Sequence, residues 1–580
     1  MAGQLQTTTI AAPGFYGLNT QESGVTLDNG FALEATNCVI DKFGRIGARK
    51  GWTFLAEDTG VNLKGAHRFI DIDGTEYFGA WSTNDFYIYS ANTLTAVPVD
   101  PQTPSSITSS GTTATVTYNA HGYSTGDTIV ISGATQTEYN GAYEITVTGA
   151  NNFTYTFAGS ATTPATGTLS MYKKLETDGN YQAATLNDAA FLFHKGEKPL
   201  YFNPTTQTLD FIEDTGKGTP PSGNTVLSAY GRLWVADTDT NVTTLYWSDL
   251  LDGTEWRSGT GTVGSLDIAS ILVYGNDEII GLGAHNGYLI IFCKQNIVIM
   301  GDSDNNQTYL DPATMQLVEV ISGIGCVARD SIQNTGTDII FLSESGVRSL
   351  GRTIQEKSQP MRDISKNVRD DIVQRVETVD KATIKSCYSE SNAFYLLSFT
   401  SVDEVYCFDM RTALQDGSAR VTKWNTGAFT SWLGFDGEVY MTHNNGLARY
   451  FGYTDNGDEY RMSYYTSYLD FDAPTQVKLL KKLAYTLVGV TGQTFFAKAA
   501  FDYSDIFRNI ELSMKEAVVA EYGIAEYNIA EYSGGTSVDN VRSAAGGSGS
   551  VLQLGFETDI NGGEISLQKM DIYVKQGRVL

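Results

Sequence analysis

A strand–turn–strand unit recurs along this chain, and the recurrence limits the possible folds more than any other feature. Units begin near Phe69 (FIDIDGTEYFGAW), Phe191 (FLFHKGEKPLYF), Tyr230 (YGRLWVADTDTNVTTLYWSD), Tyr288 (YLIIFCKQNIVIMGD), Asp338 (DIIFLSESGVRSLG), Ala393 (AFYLLSFTSVDEVYCFDM) and Ser431 (SWLGFDGEVYMTHNNGLARYFG). From Phe191 onward the starts are 39, 58, 50, 55 and 38 residues apart. Each unit alternates apolar residues around a turn carrying Asp-Gly, Lys-Gly, Gln-Asn or Ser-Gly, which is the signature of a β-hairpin. Units of roughly 40–50 residues with several strands match propeller blades. One blade cannot cover its own apolar face, so blades must stack. The sequence predicts an all-β chain, a β-propeller of about six or seven blades.

The interval from Phe69 to Phe191 is too long for one blade. Residues 101–170 explain it: they hold 18 Thr, no Lys or Arg, and only Asp127, Glu138 and Glu144 as charges. Short alternating strands around His121-Gly122 and Asn140-Gly141 predict a small β-sandwich inserted into a blade loop, where added chain is tolerated. One segment breaks the β-pattern. In 358–384, Ile364, Val368, Ile372 and Val376 recur every fourth residue, which predicts an amphipathic helix with Pro360 near its start. After Tyr460 come longer strands, then AEYGIAEYNIAEYSGG, whose five-residue period suits neither helix nor strand. AGGSGS (545–550) reads as a flexible turn. The predicted order is an extended N-terminal arm (1–30), first propeller blades (31–100), the Thr-rich insert (101–170), remaining blades with a helix near 360–380 (171–459) and a C-terminal β-sandwich-like domain (460–580).

Charge narrows the function classes. Lys and Arg number 39 against 66 Asp and Glu, a formal net charge of −27 over 580 residues. Such a surface disfavours sequence-independent gripping of nucleic acid and docking on anionic membranes. The hydrophobic fraction is 41 %, which excludes an acidic disordered tail. No apolar run approaches the roughly 20 residues of a spanning helix, and the first residues lack a signal-peptide pattern. Five scattered cysteines (Cys38, Cys293, Cys326, Cys387, Cys407) without a CxxC spacing read as buried free thiols of a soluble protein folded in a reducing compartment.

The search for chemistry yields no catalytic, cofactor or metal assignment. The five histidines (His67, His121, His194, His285, His443) each lie beside turn residues, and no G-x-S-x-G elbow is present. Gly216-Lys217-Gly218-Thr219 imitates the end of a phosphate loop, but Phe211 stands where the first Gly belongs. Asp237-Thr-Asp239-Thr-Asn241 opens like a calcium loop, yet Val242 replaces the required Gly and Ser248 the distal Glu. A glycosidase would need two carboxylates about 5–10 Å apart, and sequence alone neither picks nor excludes such a pair.

The stretch APGFYGLNTQESGVTLDNGFALEATNCVIDKFGRIGARKGW (12–52) carries a GLN turn and an A-x-N-x-x-x-D-x-x-G-x-x-x-x-R-x-G pattern at Ala35, Asn37, Asp41, Gly44, Arg49 and Gly51. With 232–256, 275–302 and 323–352, it resembles the tail nozzle proteins (tail tubular protein B) of short-tailed, podovirus-type bacteriophages. The resemblance implies a non-enzymatic virion protein assembled in the host cytoplasm: a homohexameric ring below the portal and head-to-tail adaptor, beside tail fibre or tail tip proteins. Genomic DNA would pass its lumen during ejection without tight binding. The arm 1–30 is a candidate contact to a neighbouring subunit or the adaptor, and Tyr522, Tyr527 and Tyr532 are candidate interface anchors, since Tyr offers contact area with few rotatable bonds. Two other functions stay open: a receptor-binding tail protein that uses the insert, and a propeller glycan hydrolase.

Overall fold

The computed structural model describes residues 5–259, 262–272, 275–303, 310–355, 363–490, 492–515 and 537–579. They form strands almost throughout, and the chain is all-β, of the β-propeller class. It divides into two compact units: Ala56–Gly325 with Thr442–Gly446, and Met1–Leu55 with Cys326–Met441 and Leu447–Leu580. No helix among the described residues is long and apolar enough to cross a membrane.

In the first of these units, four antiparallel sheets of four strands follow one another at 65–97, 182–211, 223–267 and 279–322, each with its strands in sequence order. Burial grades across each blade. The second strand Arg232–Thr238 is buried at every position, whereas the last strand Met315–Ser322 is buried at one position alone. Strand alternation explains how one strand serves two interfaces. Leu233 and Val235 pack with Phe191 and Phe193 of the preceding sheet, while Trp234 and Ala236 pack with Leu289 and Ile291 of the following one. Burying one such side chain fully contributes about 1.5–3 kcal/mol, so stacking rather than hairpin pairing dominates.

The insert forms two sheets, one of 106–110, 113–117, 152–156 and 146–149 and one of 141–144, 128–134 and 167–173. It has its own core, including Val116, Ile131, Tyr139, Phe153 and Met171. Its two ends are clamped together, with Gln102 N–H donating to Met171 O at 2.7 Å and the reciprocal bond at 2.8 Å.

Three more meanders occupy 333–349, 384–424 and 431–450, the last taking Trp52–Glu57 as its fourth strand. The C-terminal segment is not separate from them. Arg420–Trp424, the final strand of its meander, continues through Gly17–Leu18 and Phe31–Thr36 into Tyr460–Thr466, Leu552–Ile560, Thr494–Phe501 and Arg508–Ser513, giving ten strands in one sheet. A second sheet joins Cys38–Ile40, Ile46–Ala48, Ile565–Val579, Gln476–Gly489 and Ser537–Ala544, with Leu5–Ala11 on Ile565–Val579. One core contains Phe15, Ala32, Tyr464, Tyr485, Phe556 and Ile572 from both sheets.

Several sequence expectations change. The arm is extended but not free: Leu5 through Ala11 pair antiparallel with Lys575 through Lys569 of the same chain, and Ile10 is buried. Residues 31–48, expected in the first blades, complete the C-terminal sandwich; the first blade strand in the chain is Trp52–Glu57, and the first complete blade begins at Gly65–Ile70. The pattern of Phe31–Thr36 identifies a strand, and only tertiary packing chooses its partners. The helix is shorter than expected, a 3-10 turn Lys366–Val368 leading into Arg369–Thr378, with Ile364, Val368, Ile372 and Val376 all buried. Pro360 lies outside the described residues. Within AGGSGS, Ser548–Gly549 is a short strand paired to Lys478 and Leu479.

Candidate functional site

The six pattern residues of the N-terminal stretch converge on structure rather than on a pocket. Arg49 is 0 % exposed, and all five of its N–H donors are used. Nε donates to Asn37 Oδ1 at 3.0 Å; Nη1 to Lys50 O at 2.9 Å and Asp455 Oδ1 at 2.8 Å; Nη2 to Asn425 O at 2.9 Å and Asp455 Oδ2 at 2.6 Å. The guanidinium also lies 4.0 Å from the centre of the Tyr460 ring. Burial opposes its charge, and Asp455 outweighs burial, so Arg49 is held above its ordinary pKa. Asn37 adds bonds to Arg461 O at 2.9 Å and from Asn425 N at 2.9 Å.

The neighbouring pattern residues shape the chain around this node. A Cβ on Gly51 would lie 1.9 Å from Thr454 O, so only glycine lets these backbones meet. Asp41 caps its turn by accepting from the N–H groups of Phe43 and Arg45 at 2.8 and 3.0 Å. Gly44 sits at φ +75° against Pro13, and Ala35 is buried. With its donors spent and no solvent access, Arg49 latches three chain segments and has no bond left for a ligand.

Titratable groups elsewhere are mostly committed to partners. Burial opposes ionisation of Asp330, but Arg329 at 2.7 Å and Lys385 at 2.5 Å outweigh it and hold the carboxyl well below its usual range. Glu404 is likewise held low, against burial, by Arg375 and Lys423. All five cysteines are free and buried, and burial raises every thiol, Cys326 to about 11 and Cys387 to about 12, which suppresses the nucleophilic thiolate. No group of three or more His, Cys, Asp or Glu among the described residues is arranged to hold a metal ion.

His67 gives a pH-dependent prediction. Its Nε2 is 2.8 Å from Thr185 Oγ1, and burial lowers its pKa from 6.5 to about 4. The folded state keeps the ring neutral while the unfolded chain protonates it, so this contribution is intact above 6.5 and lost as pH falls toward 4. The lowered carboxylates Asp249 and Asp252 of the same unit add losses only at lower pH. Thermal melts are expected to show falling stability across that window, flattened in His67→Gln; an identical profile in the variant contradicts burial of His67 as the cause.

Two of the clefts in the Ala56–Gly325 unit have polar linings. One, about 540 Å³, lies between the insert and the second blade, lined in part by Asp127, Lys173, Lys198 and Glu213. Its lysines are committed: Lys173 pairs with Asp127, Lys198 with Glu213 and Lys174 with Asp85, each at 2.7 Å. With five carboxylates (Asp100, Asp127, Glu176, Glu197 and Glu213) against three lysines in its lining, it is a net acidic seam rather than an anion site. The other, about 500 Å³, is lined by residues of the second and third blades, among them Asp239, Tyr246 and Trp256. Asp237, the start of the apparent calcium loop, instead pairs with Lys195 at 2.6 Å. The candidate anchors Tyr522, Tyr527 and Tyr532 lie outside the described residues.

No family model matches the sequence, and no curated protein does. Among solved structures, the chain is similar to a phage phi92 endosialidase at 14 % identity, covering 77 % of this chain and 69 % of that one, with a TM-score of 0.18. A structure described as YCF48 bound to D1 peptide matches at 10 % identity over 60 % of this chain and 97 % of that one, TM-score 0.27. The WD40 β-propeller domain of Doa1 matches at 11 % identity over 46 % and 90 %, TM-score 0.21. At these TM-scores the similarities carry no functional argument, and the fold assignment rests on strand order and on the cores between successive sheets.

Proposed function

We propose that this chain is a structural protein of a short bacteriophage tail, the nozzle ring below the portal and adaptor through which the genome leaves. The observation that carries this reading is the location of Ala35, Asn37, Asp41, Gly44, Arg49 and Gly51. These residues carry the sequence resemblance: Asn37 and Arg49 form the latch, Gly51 lets the backbone approach Thr454, Asp41 and Gly44 shape the adjoining turn, and Ala35 is buried. The shared pattern therefore specifies how the N-terminal segment is woven into the C-terminal sandwich, an architectural feature rather than a reaction centre. Charge supports the same reading. Six copies at −27 each give a ring of −162, and an acidic lumen repels phosphate, letting DNA slide without sticking.

Deleting the gene from the phage that encodes it tests the proposal. The expected particles have filled heads and no distal tail, and supplying the protein in trans restores infectivity. Complete tails that fail only in adsorption would overturn it. That result would favour receptor binding through the insert, a reading supported by the insert's own core and clamped ends.

A further inference from the structure

The cleft lined by the second and third blades is matched to a ligand class that a DNA conduit does not require. Its volume, about 500 Å³, falls within the roughly 300–1,000 Å³ of small-molecule sites. Tyr246 and Trp256 supply aromatic surface, Ser222, Ser258 and Ser265 supply hydroxyls, and Asp239 is the one charged residue in the lining. Trp256 is 7 % exposed and its Nε1–H donates to Gly253 O at 2.9 Å, so it contributes only a ring edge beneath the half-buried Tyr246. Asp239 is exposed and, among the described residues, makes no hydrogen bond or ion pair. The same holds for the hydroxyls of Ser222, Ser258 and Ser265.

This set selects by elimination. An anionic ligand finds no cation in the lining and meets a carboxylate in a protein of net charge −27. A purely apolar ligand would strand the carboxylate and three hydroxyls without water. A neutral polyhydroxylated molecule satisfies both halves, offering hydroxyls to Asp239 and the serines and its C–H face to the Tyr246 ring. We infer that this cleft is a binding site for a neutral glycan, hexose oligomers being its chemical class. The loop that only imitates a calcium site thereby acquires a role: with Asp237 held by Lys195 and Asn224, the hairpin turn presents Asp239 to the cleft.

The test uses the full-length protein with maltoheptaose, cellohexaose and soluble α-mannan as neutral probes and polysialic acid as an anionic control, read by ligand-detected NMR. At least one neutral probe is expected to bind and polysialic acid is not. Asp239→Asn, which keeps size and removes charge, is expected to weaken binding about tenfold. Ser265→Trp, on an exposed strand position, is expected to block the cleft, with both variants keeping the parental melting temperature. Absence of binding by every neutral probe, binding of the anionic control alone, or undiminished binding in both variants overturns the inference. Ring formation is read separately, so failure of either proposal leaves the other standing.

Discussion

Replacing Arg49 with methionine is expected to remove about 3–5 kcal/mol of stability from the unit that contains it. The guanidinium is fully buried, and its loss strands Asp455, whose side chain is only 18 % exposed. It also strands the carbonyls of Lys50 and Asn425 and removes one of the two bonds that Asn37 Oδ1 accepts. Lysine should restore little, because a single ammonium cannot reproduce five donors in a planar fork. The double variant Arg49→Met/Asp455→Leu should be more stable than Arg49→Met alone, since it removes the uncompensated charge as well as its partner. Urea unfolding followed by hydrogen exchange in Phe31–Thr36 and Tyr460–Thr466 reads the effect where the latch acts. A loss below about 1 kcal/mol, the range of an exposed ion pair, would contradict this role.

The second large effect is expected at Trp424. Its ring is 0 % exposed, stacks on Tyr450 with centroids 5.5 Å apart, and donates Nε1–H to Cys38 O at 2.7 Å. Around it lie Phe394, Leu396, Cys407 and Met441, contributed by two successive meanders. Trp424→Ala should cost about 3–5 kcal/mol, because it opens a cavity at a fully buried position between two meanders. Trp424→Phe keeps most of the contact and orphans the Cys38 carbonyl, a cost of about 1–3 kcal/mol. The ordering Ala worse than Phe, measured by urea midpoints at constant slope, checks that packing outweighs the hydrogen bond. Equal losses would mean that the hydrogen bond dominates.

How far the sequence discloses this structure depends on sequence distance. Hairpins such as Tyr288–Cys293 with Asn296–Asp302 are legible because apolar alternation and turn chemistry lie within one short window. At Asp436-Gly437, both residues adopt positive φ, as the Asp-Gly pair foretells. The helical segment is legible through Ile372 and Val376, both buried on one face of Arg369–Thr378. Pairings across the chain leave no such mark. Thr9 bonds Asp571 at a separation of 562 residues, and Arg49 bonds Asp455 across 406. A period of two identifies Phe31–Thr36 as a strand and says nothing about Tyr460–Thr466 beside it.

The site residues follow the same division. Arg49 stands beside Lys50 in the sequence, so local charge does not reveal which of the two is buried, and its partner Asp455 lies 406 residues away. Asp239 was visible only as part of a failed calcium loop, because the Tyr246 and Trp256 that give it a context lie on other parts of the blade.

The nozzle reading is tested most directly by the native mass of the purified full-length protein, alone and mixed with its head-to-tail adaptor, with negative-stain images of the same samples. The account predicts a ring of six 63.1 kDa subunits, 378.6 kDa before any adaptor mass, with a central hole. A 63.1 kDa monomer that persists with the adaptor present would contradict it.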